Sequence, residues 1–165
     1  ALNWLLGPVD AVCAVMGNRL NDLEAEDTMV GIIRFSSGVL GTIEATTAAP
    51  RDIEASLSII GEGGVAVIGG IALNKVETWE FIEPQSSDDQ AKAEYSREVP
   101  NGYGQSHGPL LQEMVEALRK GSTIAPVPAK DCVSTGSLIH ALYASVERGG
   151  WVSISDQPLS KKLGN

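Results

Sequence analysis

The alternation across Thr28–Phe35 and Val39–Thr47 constrains this chain more than any other feature. Both segments are rich in β-branched residues and flank Ser36-Ser37-Gly38. A three-residue loop ending on a left-handed glycine is a common hairpin closure. It sets Phe35 opposite Val39, Ile33 opposite Gly41, Gly31 opposite Ile43 and Met29 opposite Ala45. The other face then pairs Arg34 with Leu40, Ile32 with Thr42, Val30 with Glu44 and Thr28 with Thr46. A slip of one residue mixes apolar with polar on both faces, so the pattern selects this register. One face reads as core. The other sets Val30, Ile32 and Leu40 among threonines, Arg34 and Glu44, and a monomer has little reason to expose it.

Further turns extend the hairpin into a meander that ends at Phe81. Ile53–Ile60 alternates, Glu62-Gly63 turns it into Val65–Ile68, and Gly69-Gly70 turns that into a strand over Ile71–Phe81. Ala48–Asp52, broken by Pro50, is a connection. Upstream, Leu2–Leu6 reads as the last turns of a helix stopped by Gly7 and Pro8, and Val9–Met16 as a strand with Val9, Ala11, Cys13 and Val15 on one side. A helix that starts in its own middle suggests a piece of a longer chain. Asn18–Asp27 is a polar loop, and Glu83–Gln105 a long one of the kind that usually carries function or motion.

Two helices follow. Ser106 is placed to cap the first, whose apolar stripe is Leu110, Leu111, Met114, Val115 and Leu118. The second spans Ala129 to Arg148 and buries Val133, Ile139, Leu142, Tyr143 and Val146. Trp151–Ile154 is a closing strand. Clustered strands with two full helices give an α+β fold: a mostly antiparallel, open-faced sheet with helices on one face and the other free for oligomerisation. We expect one domain over residues 1–165.

A formal net charge of -9 offers no basic stripe for nucleic acid. No apolar run reaches the length of a membrane span. Cys13 and Cys132 lie far apart in apolar segments, which suits buried thiols in a reducing compartment, and we expect a cytoplasmic protein. No Cys/His cluster has metal-ligand spacing. The glycines at 61, 63, 64, 69 and 70 precede strands, not a helix, and read as hairpin turns, not a nucleotide loop.

His107 follows a Gly-rich loop containing Tyr103 and stands at a helix start, where backbone N–H groups attract anions. It reads either as a contact to a hydroxyl or carboxylate or as an ordinary residue of the capping region. Asn74 and Lys75 interrupt an apolar period; Lys75 either guards an edge strand or meets an acidic ligand. Trp79 and Tyr103 either stack on a ring or belong to the core. With 2 histidines and no positioned partner for either, no nucleophilic triad can be assembled.

Trp4-Leu5-Leu6-Gly7-Pro8-Val9, Glu26-Asp27-Thr28, Gly38–Thr47 and Ile59–Gly64, taken in that order, resemble the C-terminal domain of the Gfo/Idh/MocA oxidoreductases. His107 with its helix, and Ile139–Arg148, resemble that domain's last two helices. Ala72–Trp79 together with Tyr103–His107 is similar to the branch acting on sugars or nucleotide-activated sugar acids. The resemblance implies NAD- or NADP-dependent hydride transfer at a sugar carbinol, with the cofactor on an N-terminal Rossmann domain. It implies that this domain shapes the substrate pocket, through His107, Tyr103, Asn74 and Lys75, and builds a homo-oligomer on its open sheet face, through Val30, Ile32, Arg34, Leu40, Thr42 and Glu44. The chain has no Gly-x-Gly-x-x-Gly loop and no Glu-Lys-Pro motif, and the family's usual His and Asp would fall before Ala1. We therefore expect no cofactor on this chain alone and assign no catalytic residue. A stand-alone, sheet-mediated assembly or ligand-binding module without chemistry is the alternative.

Overall fold

The computed structural model describes residues 1–163; Gly164 and Asn165, the end of the expected domain, lie outside the described residues. In chain order the elements are α1 (Leu2–Leu6), β1 (Val9–Gly17), β2 (Thr28–Phe35), β3 (Leu40–Thr46), β4 (Leu57–Gly61), β5 (Gly64–Gly69), β6 (Lys75–Phe81), α2 (Asp88–Tyr95), α3 (His107–Arg119), α4 (Ala129–Arg148) and β7 (Val152–Ser153). Every strand pairing is antiparallel, and the fold is α+β. The strands form two sheets rather than one meander, a four-stranded β3-β2-β1-β7 and a three-stranded β4-β5-β6. The connection through Pro50 pairs with neither. The chain divides accordingly into two compact units, Ala1–Ala49 with Val127 onward, and Pro50–Pro126.

In the first unit the β2–β3 register is the one the alternation selects, from Thr28 opposite Thr46 to Arg34 opposite Leu40. Gly38 closes the turn at φ 90, and the Phe35 amide donates to the Val39 carbonyl at 2.9 Å. Burial follows the same period: Gly31, Ile33 and Phe35 are buried, while Val30, Ile32 and Arg34 are exposed. β1 carries a bulge between Val9 and Ala11. The extra residue turns Val9 to the core side with Val12, Ala14 and Met16, correcting the grouping of Val9 with Ala11, Cys13 and Val15.

α4 covers the core face. Its buried residues are Leu138, Ala141, Leu142, Ala144 and Ser145, whereas Val133 and Ile139, expected inside, are 65% and 42% exposed. Small side chains let this helix approach the sheet closely, so the buried stripe follows alanine and serine more than the larger aliphatics. Ser145 fastens the contact: its hydroxyl accepts from the Ala14 amide at 2.9 Å and donates to the Gly150 carbonyl at 2.6 Å. Gly149 ends the helix in the left-handed conformation, at φ 70.

In the second unit β4 begins at Leu57, not Ile53. Its pairing with β5 runs from Gly61–Gly64 to Leu57–Ile68 and engages five of the six residues of that strand. Gly61 and Gly64 face each other across a hairpin turn, as expected. Residues 71–74 form a wide turn rather than the start of β6, with Gly70 at φ 89 and Leu73 at φ 53. α2 replaces part of the expected long loop. It has no apolar stripe, and Asp88 and Asp89 in its first turn complement the helix dipole. α3 forms where expected, but no residue of it is buried; its stripe runs from 41% exposed at Leu110 to 69% at Leu118. The 3.6 period fixes that it is a helix and cannot by itself supply a cover.

Candidate functional site

The second unit carries all the residues expected to touch substrate. The β5–β6 turn is locked by Asn74, whose Oδ1 accepts from the Ala72 amide at 3.1 Å and whose Nδ2 donates to the Arg97 carbonyl. The Arg97 amide returns a bond to the Asn74 carbonyl at 2.9 Å, so the two residues clamp each other across 23 positions of sequence. One residue earlier, the Ser96 hydroxyl accepts from the Val76 amide at 3.0 Å. The segment leaving α2 is thus tied along β6 although it has no regular structure of its own.

Asn101–Gly104 folds as a tight turn. The Asn101 side chain accepts from the Tyr103 amide at 3.0 Å, and Gly104 adopts φ 65. This turn lies on the Ile71–Ala72 segment: a Cβ on Gly104 would stand 3.3 Å from the Ala72 Cβ, and one on Gly102 would stand 3.6 Å from the Ile71 carbonyl. The loop bearing Tyr103 therefore rests beside the turn bearing Asn74. Tyr103 and His107 meet edge to face, with ring centroids 6.4 Å apart, and both are exposed. Ser106 precedes the first helical residue but makes no side-chain capping bond.

Lys75 opens β6 with its ammonium 3.8 Å from both Glu54 and Glu98. Its side chain borders a cleft of about 290 Å³ shared with Ser96, Arg97 and Glu98. A larger cavity, about 550 Å³, lies against Trp79 and Phe81, whose rings pack edge to face at 5.2 Å. Its charged lining is Glu62, Glu83 and Asp88 without a cation, which disfavours an acidic ligand. Asp88 holds this wall in place by accepting from the Trp79 indole at 3.0 Å. No local pattern in the sequence marks Arg97, because it meets Asn74 through its own main-chain atoms, 23 positions away.

The open face of the first unit carries the residues expected at an oligomer contact. Val30 and Ile32 are 48% and 47% exposed, Leu40 70%, and Val15 on β1 adds another 70%. Arg34 is fixed among them. Its Nε and Nη2 both reach Asp10 Oδ2 at 2.8 Å, and its guanidinium lies 5.4 Å from the Trp151 ring centre. Thr42 and Glu44 are exposed on the same face.

The polar loop before β2 is organised by Asp27, which is 2% exposed. Its carboxylate accepts from the amides of Arg19, Leu20 and Asn21 and from the Thr28 hydroxyl. The Asn21 and Leu20 amides, above all, hold it well below the usual carboxylate range. Next to it, Glu26 accepts the Tyr143 hydroxyl at 2.6 Å; burial first, and then this carboxylate, push the phenol up to about 12. Among the described residues no group of His, Cys, Asp and Glu is disposed to hold a metal ion, and no helix is long and apolar enough to cross a membrane.

Residues 1–154 match the family model described as the oxidoreductase family, C-terminal alpha/beta domain. Two solved structures share nearly a third of its residues. The WlbA dehydrogenase of Bordetella pertussis, in complex with NADH and UDP-GlcNAcA, is 32% identical over 92% of this chain, with a TM-score of 0.83. Its counterpart from Chromobacterium violaceum, with the same two ligands, is 31% identical over 92%, with a TM-score of 0.79. Levoglucosan dehydrogenase with NADH and levoglucosan shares the fold at 20% identity over 92% of the chain, with a TM-score of 0.67. The chain spans 44% and 42% of the two WlbA chains and 46% of levoglucosan dehydrogenase. No curated protein matches it. With the family model matched over nearly its whole length, the chain belongs to the Gfo/Idh/MocA oxidoreductases, in the C-terminal α/β domain of that family.

Proposed function

We propose that this chain is the substrate-binding and oligomer-forming part of an NAD-dependent dehydrogenase that oxidises a hydroxyl of a nucleotide-linked sugar acid. The observation that carries the reading is the likeness to the two WlbA dehydrogenases holding NADH and UDP-GlcNAcA, at 32% and 31% identity over 92% of the chain, against 20% for levoglucosan dehydrogenase. Bound NAD would accept the hydride, on a dinucleotide-binding domain that the present sequence does not include. Residues 1–165 are read as one functional domain of that enzyme, acting in the cytoplasm, where the free thiols Cys13 and Cys132 stay reduced.

In this reading Tyr103 and His107 offer a hydroxyl and an imidazole to sugar hydroxyls from one exposed, edge-to-face pair. Lys75 answers the ligand's negative charge, since its two carboxylate partners are loosely held and exposed. The Asn74 amide is already spent on Ala72 and Arg97, so Asn74 serves the site by fixing the turn. The open face of β1, β2 and β3 buries Val30, Ile32 and Leu40 against a second copy, with Arg34, Thr42 and Glu44 keeping polar contacts.

Steady-state kinetics on the protein joined to its dinucleotide-binding domain test this. With UDP-GlcNAcA as substrate, His107→Ala and Lys75→Ala should each lower kcat/KM about tenfold or more, the cost of one lost ligand hydrogen bond. Unchanged kinetics in both variants would remove them from the site. Turnover of levoglucosan but not of UDP-GlcNAcA would overturn the substrate class.

A further inference from the structure

We propose that Arg97, together with Lys75, forms the anion-binding pair of the substrate site and contacts a carboxylate or phosphate of the ligand. The inference deepens the reading above and rests on it. Both residues line the cleft of about 290 Å³ beside β6. Arg97 has the fixed backbone that a recognition residue needs: Asn74 clamps its amide and carbonyl, and Ser96 before it is bound to Val76. Its guanidinium, by contrast, is barely used. Only Nε is engaged, with the Glu94 carbonyl at the long distance of 3.5 Å. Among the described residues no carboxylate lies within ion-pairing distance of it.

An arginine held by its main chain and open at its planar fork suits a bidentate oxyanion, carboxylate or phosphate. Lys75 adds a point charge that its present partners hold weakly, at 3.8 Å from Glu54 and Glu98, with Glu98 92% exposed. Glu77 and Glu98 also line the cleft. They balance the two cations, so an anion gains there only by meeting Arg97 and Lys75 together.

Arg97→Ala leaves the clamp intact, because Asn74 meets only main-chain atoms of residue 97. Calorimetric titration of this chain with UDP-GlcNAcA and with UDP-GlcNAc, which keeps the diphosphate and lacks the sugar carboxylate, tests the proposal. We expect Arg97→Ala to weaken UDP-GlcNAcA about tenfold or more and Arg97→Lys to recover part of the loss. Weakening of UDP-GlcNAcA alone assigns the carboxylate to Arg97; equal weakening of both ligands assigns the diphosphate. Arg97→Ala that binds UDP-GlcNAcA as the wild type does overturns the role of Arg97 and leaves the substrate reading standing. A wild-type chain that binds neither nucleotide sugar overturns both.

Discussion

Leu142 on α4 lies so close over β2 that a Cβ on Gly31 would stand 3.0 Å from its Cδ2 and 3.1 Å from Ile43 Cγ2. The absence of a side chain at Gly31 is what brings helix and sheet together at the centre of the core. Both neighbours are packed in turn, so neither can yield freely. Gly31→Val should therefore destabilise the chain by about 1–3 kcal/mol through overpacking. Thr42→Val, on the exposed face of the same sheet, should shift stability by less than about 0.5 kcal/mol. Urea midpoints of the two variants check this; equal midpoints would contradict the close approach.

Acid should loosen the loop before β2. Folding lowers the Asp27 pKa from its ordinary 3.8, so the folded state favours the ionised form. Its contribution is present in full above the unfolded value and is lost as pH falls through that value and below. Glu147 shifts the same way, chiefly through the Ser160 hydroxyl. Asp27→Asn should be less stable than the wild type at pH 7 and lose less on going to pH 3, since the Asp27 share is gone while that of Glu147 stays. Urea unfolding at both pH values reads the difference; parallel losses in the two proteins would show that Asp27 is not the acid-sensitive group.

The exposed face of β1–β3 carries the next expectation. Val30, Ile32 and Leu40 are each at least 47% exposed, and burying one such side chain is worth roughly 1.5–3 kcal/mol. We expect a dimer at tens of micromolar by light scattering. Ile32→Asp should dissociate it while leaving the far-UV spectrum unchanged. A monomeric wild type, or an Ile32→Asp variant that stays dimeric, would show that this face is not the contact.

How far the sequence could be read follows from where each signal is stored. The β2–β3 register was legible because period-two alternation and the Ser36-Ser37-Gly38 turn both specify it locally. Gly7 and Gly149 marked the ends of α1 and α4 for the same reason, each taking the positive φ that stops a helix. The β1 bulge was not legible, since one extra residue at Asp10 leaves the composition unchanged and only reassigns Val9. α2 escaped because its residues give no apolar period, and its evidence is electrostatic, in Asp88 and Asp89. The start of α3 at His107, after the loop that carries Tyr103, is legible from the Gly-rich stretch before it. The Asn74–Arg97 clamp was invisible because main-chain atoms make most of it.

Amide chemical-shift mapping of this chain with UDP-GlcNAcA tests the central claim most directly, because it locates the ligand without requiring turnover. We expect perturbations gathered on Asn74, Lys75, Arg97 and the stretch from Tyr103 to His107, with NADH at the same concentration leaving those amides unmoved. Perturbations confined to the cavity at Trp79 and Phe81, or none from UDP-GlcNAcA while NADH shifts the site, would contradict it.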